Sequence, residues 1–574
     1  MLSFIRIIKP PYRWLINQAH RKMFETNFIG KESAVYDAVP KNVLKDNNAR
    51  TIFTIELPEL SILVKRYKVK GLLEIIKATF LTPARKELRA ADYLINHHIN
   101  TVYPLGVLEK KKFGFTTDVF LFVKKIENVM TVKDLLASLI AQSPEKSNEN
   151  NSIESKNNIL NALAELVRQV HQATFFHKDF HIGNVLIDPV SLQTESPILY
   201  LIDLHRSSIL SYFAQFHKVY NLAQMVYSLS TVLPSTDRWR FIRYYHKLDF
   251  RTDVLRDFIT NTFNRAKGLQ HKHWQGRNKR CIKNSSQYSI MRYHNADIDY
   301  RIFLKRQDDV AGMIKLVSNH NKLAVTEPQT LFKRTAKHLI SLQPESVDKS
   351  NRIFIKEYRY SFGNRILSMF GIHPAKRNWF SANGLPIRYT LTAEPIALVE
   401  EIDPFYTWVK RSYVITREIE AEPTNDYVVS NFAYRIKDKK SLERKIGFIK
   451  EFAFAVRRLH QRGIFHYDLK SNNILIKENI NINKDTYGGN WRFYFIDLDR
   501  LKFSSELSID ERFKNLSQLN ASVSEVMTRA DRLRFYRFYS EGEKDLSHID
   551  EKAIIKQIMA LTIKRHHFWP YKKV

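Results

Sequence analysis

The stretch His177-Lys-Asp179-Phe-His-Ile-Gly-Asn184-Val-Leu-Ile187 returns later in the chain as His466-Tyr-Asp468-Leu-Lys-Ser-Asn-Asn473-Ile-Leu-Ile476. Both copies end in an apolar triplet with a β-branched residue at each end, which reads as a short buried strand. Each is followed by an apolar run that closes on an acid: Leu199-Tyr-Leu-Ile-Asp203-Leu-His-Arg206, and Phe493-Tyr-Phe-Ile-Asp497-Leu-Asp-Arg500. Further on, Asn221-Leu222, Gln224, Ser228, Asp237-Arg238, Arg240-Phe241, Arg243 and Tyr245 all reappear 294 positions later, as Asn515-Leu516 through Tyr539. Upstream, Ile62-Leu-Val-Lys65-Arg-Tyr67 pairs with Ile353-Phe-Ile-Lys356-Glu-Tyr358 at an offset of 291. A colinear match of this extent is a duplicated domain.

The bulk properties agree with two domains. A chain of 574 residues is too long for one compact core, and its 44% hydrophobic and 12% aromatic content is that of a globular protein. The lone Cys281 excludes an intramolecular disulfide and fits a reducing compartment. The formal net charge of +32, from 91 Lys+Arg against 59 Asp+Glu, favours anionic partners: nucleic acid, an acidic membrane face or a phosphorylated substrate. The bland alternative is a basic surface that aids solubility. No apolar run reaches the ~20 residues of a spanning helix. Arg6, Lys9 and Pro10-Pro11 interrupt the apolar start, so it does not read as a signal peptide. With Arg13, Trp14, Leu15 and Arg21 it suits either an anionic bilayer surface or an extension packed on the domain.

These shifts in composition give an N-terminal extension at 1–30, a first domain at 31–265, a basic linker at 266–320 and a second domain at 321–574. The linker reading rests on Lys267, Lys272, Arg277, Lys279 and Arg280, a run without acids. The polar segments 142–156 and 478–490 read as surface loops inside the two copies.

The repeated residues suit phosphoryl transfer. That chemistry requires neutralised phosphates, a held Mg²⁺ and a positioned hydroxyl more than covalent work by the protein. Kinase-like folds supply a strand lysine, a helix glutamate beside it, a loop Asp with an Asn five residues on, and a final Asp after an apolar strand. Asp179 with Asn184, and Asp468 with Asn473, have that spacing. The first of each pair would face the hydroxyl proton; Asn184, Asp203, Asn473 and Asp497 would offer hard oxygens to the cation. Lys65 and Lys356 lie in β-branched segments and would hold the nucleotide phosphates.

In the next helical stretch Glu87 either pairs with Lys65 or is an exposed helix acid. The aligned residue in the second copy is Asn378, which cannot make an ion pair. That copy therefore orients Lys356 differently or is weakened. The segments before the lysines, 44–51 and 331–338, contain no glycine to cover phosphates. Leu163, Leu166, Val167 and Val170, like Ile449, Phe452, Val456 and Leu459, recur at helical spacing and read as core.

At Ile202-Asp-Leu-His-Arg206 and Ile496-Asp-Leu-Asp-Arg500, with Val64-Lys65-Arg66-Tyr67 and the Asn-Leu pairs downstream, the chain resembles the bacterial lipopolysaccharide core kinases of the Kdo/WaaP family. The resemblance implies an α+β fold of two tandem protein-kinase-like bilobal domains, each with a small β-rich N-lobe and a larger helical C-lobe. It implies ATP and Mg²⁺ as cofactors, and an inner-core sugar, Kdo or heptose, as acceptor. The family's catalytic base maps to Asp179 and Asp468. Lys470 matches the γ-phosphate lysine of many protein kinases, whereas the first copy has His181 there. The partner expected is a lipid-linked anionic sugar, with an anionic membrane surface allowed and no nucleic acid. The expected location is cytoplasmic, peripheral to the inner membrane. The competing readings are a protein kinase with a pseudokinase partner, and a non-catalytic scaffold of two pseudokinases.

Overall fold

The structure is a computed structural model that describes residues 2–38, 43–46, 50–69, 81–141, 149–193, 197–247, 253–295, 298–305, 309–345, 351–434, 436, 438–479 and 489–565. The chain divides into two compact units, Met1–Gln270 and His271–Val574. Of the two sequence-predicted loops, 142–148 and 480–488 lie outside the described residues, while 149–156 are not loop but the start of the helix Glu149–Gln172.

The first unit opens with β1 (Phe4–Lys9), β2 (Tyr12–Asn17), β3 (Val43–Asp46), β4 (Arg50–Leu57), β5 (Leu60–Lys68), β6 (Pro104–Lys112) and β7 (Phe115–Lys124). They form one antiparallel sheet in the order β1-β2-β6-β7-β5-β4-β3. The second unit has β8 (Tyr288–Asn295), β9 (Ile298–Lys305), β10 (Lys333–Arg334), β11 (His338–Pro344), β12 (Arg352–Arg359), β13 (Pro395–Ile402) and β14 (Val409–Arg417). Their order, β8-β9-β13-β14-β12-β11-β10, is the same topology shifted by seven strands. Lys65 on β5 lies between Ile52 and Leu121, as Lys356 on β12 lies between Ile340 and Val414. The duplication seen in the sequence is thus a duplication of register.

Both sheets are covered on two faces. Along β7, Phe120 and Phe122 enter one core with Trp14 and Phe24, while Val119, Leu121 and Val123 enter the other with Ala84 and Leu88. This alternation is the two-residue period of a strand. It also accounts for residues 4–17, expected as part of an extension. Trp14 and Ile16 on β2 are fully buried, and the Trp14 indole donates to Glu32, so Trp14 is not presented to a membrane. The stretch expected as a basic linker likewise carries β8 and β9. On β9, Ile302 and Leu304 face one core and Phe303 the other, with Asp299, Arg301 and Lys305 around them. Counting charge over that stretch hides its alternation.

Each sheet is followed by a mainly helical lobe with its own core. The helices Glu149–Gln172 and Lys439–Gln461 bury the apolar residues expected there, Leu163 to Val170 and Ile449 to Leu459. Two matched polar pairs lock each lobe. His171 meets the Tyr245 hydroxyl at 2.8 Å, and His460 meets that of Tyr539 at 2.8 Å. Lys156 lies 2.9 Å from Asp237, and Lys445 lies 2.9 Å from Asp531.

Lys445 is 3% exposed where Lys156 is 23% exposed, so only the second pair is cut off from water at both ends. Removing one partner of a fully buried pair strands a charge and costs about 3–5 kcal/mol. Asp531→Asn is therefore expected to lower the stability of the second unit by that order, and Asp237→Asn to lower the first by less. Urea denaturation of the full chain, followed by site-resolved hydrogen exchange, measures both.

Candidate active site

Each lobe presents the repeated residues on the same scaffold. The strand Val185–Ile187, just after Asn184, pairs antiparallel with Leu199–Leu201, just before Asp203. Ile474–Glu478 pairs with Trp491–Phe495 in the same way. One further hydrogen bond closes each hairpin: Ile202 N–H donates to the Asn184 carbonyl at 2.9 Å, and Ile496 N–H to the Asn473 carbonyl at 3.0 Å. The Asn amide Nδ2 donates back to the carbonyl of Asp179 at 2.8 Å and of Asp468 at 2.9 Å. With Nδ2 so engaged, the amide oxygen is the atom each Asn has to offer a cation.

Asp203 and Asp497 both adopt the left-handed backbone region, with φ of 64° and 58°. Asp is among the few non-glycine residues that tolerate it, and such strain persists where the surroundings over-determine it. Here the hairpin fixes the preceding residue, and the turn re-aims the carboxylate out of the strand.

The loop holding the base candidates is tied down from the next helix. In the first unit Asn221 donates to the His177 carbonyl and Gln224 to the Lys178 carbonyl, both at 2.6 Å, while Gln224 and Ser228 accept from Phe180 and Ile182. In the second, Asn515 donates to His466 and Gln518 to Tyr467, while Gln518 and Ser522 accept from Leu469 and Ser471. The sequence showed these residues recurring but gave them no role; they are the braces of the loop. His177 and His466 accept the backbone N–H of Asp179 and Asp468 on Nδ1 at 3.2 and 3.1 Å, which places the ring proton on Nε2. In the second unit Nε2 sits 3.1 Å from the Ile496 carbonyl. Burial pushes His177 down to about 4 and lowers His466 as well, so both rings are neutral.

Asp179 and Asp468 remain nearly half exposed, each beside the residue two positions on. His181 Nε2 is 3.7 Å from Asp179, and Lys470 Nζ is 3.0 Å from Asp468. Burial lowers His181, against the pull of Asp179.

The two units differ around the strand lysine. In the first, Lys65 is buried against Glu87, which also accepts from the Tyr67 hydroxyl, so Glu87 is the lysine's partner and not an exposed helix acid. The helix Pro83–Asn96 brings it there, capped by Thr82 and started by Pro83. Asp203 is gripped through both oxygens by Arg50 of β4, at 2.7 Å each, and by His205 Nδ1 at 2.6 Å. Burial works to raise the Asp203 carboxyl, but the hydrogen bonds from Arg50 and His205 and the charge of Lys65 hold it far below the usual carboxylate range. Ligand atoms of Glu87, Asp203 and His205 lie within 4.8 Å of one another.

In the second unit Asn378 indeed makes no ion pair, yet Lys356 is not left without one. Its Nζ lies 2.9 Å from Asp497 and 3.0 Å from Asp499. Burial favours the neutral amine, but Asp499 and Asp497 overcome it and raise the lysine. Asp499 also accepts from the Tyr358 hydroxyl at 2.5 Å and from Asn378 Nδ2 at 2.7 Å. Asp499 is the residue that sequence reading missed. Its signal was present in Ile496-Asp-Leu-Asp-Arg500, where the first copy has His205.

Of the segments without glycine, the described residues of the second form a hairpin closed by Thr335 N–H to the His338 carbonyl at 2.8 Å. Residues 47–49 of the first lie outside the described residues.

The model of the lipopolysaccharide kinase (Kdo/WaaP) family matches this chain over residues 37–245 and 395–539. Among solved structures the chain is similar to one titled "WaaP in complex with acyl carrier protein", at 19% identity and a TM-score of 0.35, over 45% of this chain and 99% of that one. No curated protein matches.

Two outcomes follow from the loop bracing. Asn221→Ala and Asn515→Ala each leave a buried carbonyl without its donor, which costs about 1–3 kcal/mol; thermal melts of the two variants should show comparable losses. The buried histidines set a pH dependence. Below pH 6.5 the unfolded chain takes up protons that His177 refuses until about 4, so stability is lost as pH falls through that window. Urea midpoints that stay flat between pH 7 and 5 would contradict the neutral rings.

Proposed function

The chain belongs to the lipopolysaccharide kinase (Kdo/WaaP) family, and on that premise we propose that each unit phosphorylates an inner-core sugar of lipopolysaccharide, Kdo or heptose, from ATP. The observation that carries this reading is the assembly of Asp, Asn and Asp by the same hairpin and the same braces in both units. A scaffold without turnover has no need to hold that set twice. In the proposed step the acceptor hydroxyl oxygen forms a bond to the γ-phosphorus, the bond to the β–γ bridging oxygen breaks, and the hydroxyl proton passes to Asp179 or Asp468. Lys65 and Lys356 hold nucleotide phosphates.

The donor set fits a hard divalent ion: one carboxylate and one amide oxygen in each unit, from Asp203 with Asn184 and Asp497 with Asn473. Mg²⁺ bound there supplies charge neutralisation for the phosphates. In the first unit Arg50 occupies both Asp203 oxygens, so cation and guanidinium compete for the same atoms. This favours, as a second reading, a first unit that is regulatory until Arg50 lets go.

The residue beside the base differs in charge and shape, His181 against Lys470, and supports different acceptors for the two units. The net charge of +32 suits a polyanionic, lipid-linked acceptor and work at the cytoplasmic face of the inner membrane. Among the described residues no helix is long and apolar enough to cross a membrane, so that association would be peripheral.

Asp179→Ala and Asp468→Ala are each expected to remove one phosphate from extracted lipopolysaccharide, read by mass spectrometry. Loss with Asp468→Ala alone selects the regulatory first unit. Unchanged phosphate in the double variant rejects the core-kinase reading.

A further inference from the structure

The two units solve one electrostatic problem from opposite sides. In each, a lysine on an interior strand of the sheet and a tyrosine two residues on converge on one carboxylate. In the first unit that carboxylate is Glu87, the fifth residue of the helix Pro83–Asn96. In the second, the fifth residue of the corresponding helix Pro374–Ile387 is Asn378, and the carboxylate is Asp499, two residues past Asp497. The position two past Asp203 is His205, whose Nδ1 faces Asp203 at 2.6 Å. Each unit thus has one carboxylate and one nitrogen-bearing hydrogen-bonding residue at these two places, in exchanged order. The exchanged residues touch: Asn378 Nδ2 donates to Asp499 at 2.7 Å and to the Tyr358 hydroxyl at 3.0 Å.

We propose that Asp499 is the positioning residue of the second unit's nucleotide lysine, taking from the metal loop the part that Glu87 plays from a helix in the first unit. Lys356 and Tyr358 are thereby fastened to the loop that carries Asp497, and their alignment does not depend on an acid from the helix Pro374–Ile387. If Asp497 turns to a cation, Asp499 still holds the lysine, because its two oxygens lie 3.1 and 3.0 Å from Nζ. In the first unit the lysine's acid and Asp203 are carried by separate elements, so a shift of the helix parts Lys65 from Glu87. The inference deepens the kinase reading and rests on it for nucleotide binding only; the exchange of acids is a property of the packing itself.

The test uses the full chain with Lys65→Met, which removes the first unit's nucleotide lysine. Two quantities are read: affinity for Mg·ATP, and the melting temperature without nucleotide. Asp499→Asn is expected to weaken Mg·ATP by about ten- to a hundredfold, the size of a lost hydrogen bond to a charged group, and to lower the melt. Adding Asn378→Glu, which restores an acid where the first unit has one, is expected to recover most of both. The reciprocal pair, Glu87→Gln followed by His205→Asp in a Lys356→Met chain, gives an independent reading if the first pair folds poorly. Unchanged affinity in Asp499→Asn overturns the proposal, and so does a melt that recovers with Asn378→Glu while affinity does not. That second outcome leaves Asp499 a packing residue. If no chain, the wild type included, binds Mg·ATP but the melts recover, the exchange stands and the kinase reading falls. If the melts do not recover either, both fall.

Discussion

The candidate sites depend on one short piece of antiparallel pairing. The strand after each Asn and the strand before each final Asp lie side by side, and the N–H of Ile202 or Ile496 closes onto the Asn carbonyl. Without that bond the residues at 184 and 203 are two loop positions nineteen apart in sequence. With it, an amide oxygen and a carboxylate are delivered from adjacent strand ends. The left-handed turn at Asp203 and Asp497 is tolerable because the residue before it is held by the bond. The loop bearing Asp179 or Asp468 is then fixed at its other end by the Asn–Gln–Ser face of the following helix.

Much of this was legible in the sequence because duplication acts as its own control. Asp179, Asn184 and Asp203 are individually unremarkable, but their recurrence in order marked them, and the structure brings them together. The same recurrence marked Asn221, Gln224 and Ser228, which brace the loop of Asp179, and Asp237 and Tyr245, which pair with Lys156 and His171 in the helical lobe. Repetition therefore identifies what the fold cannot vary. It does not separate catalytic need from architectural need.

The parts that escaped sequence reading share a cause. Strands β8 and β9 were hidden because Arg292, Asp299, Arg301 and Lys305 dilute their apolar residues, so window composition resembles a solvated segment while the pleat of β9 buries Tyr300, Ile302 and Leu304. Asp499 was hidden because alignment compares residues position by position. An acid that leaves position 378 and reappears at 499 reads as one loss and one unrelated gain. Only the 2.7 Å contact between Asn378 and Asp499 shows the two changes to be one.

The surrounding charges explain why such an exchange can be tolerated. A buried tyrosine hydroxyl needs an acceptor and a buried ammonium an anion within reach, but neither is sensitive to which backbone supplies it. The wider balance is not conserved. In the first unit Lys65 and Arg50 face Glu87 and Asp203, two cations against two anions. In the second, the strand position paired with Tyr358 is His338, lowered by burial and the charge of Lys356, where the first unit pairs Arg50 with Tyr67. There Lys356 faces both Asp497 and Asp499, and the charge of Lys333 also bears on Asp497. In the first cluster a guanidinium holds both oxygens of Asp203, whereas in the second Asp497 shares one lysine with Asp499. The sequence difference that produces this contrast is small: Arg50 against His338, Glu87 against Asn378, and His205 against Asp499.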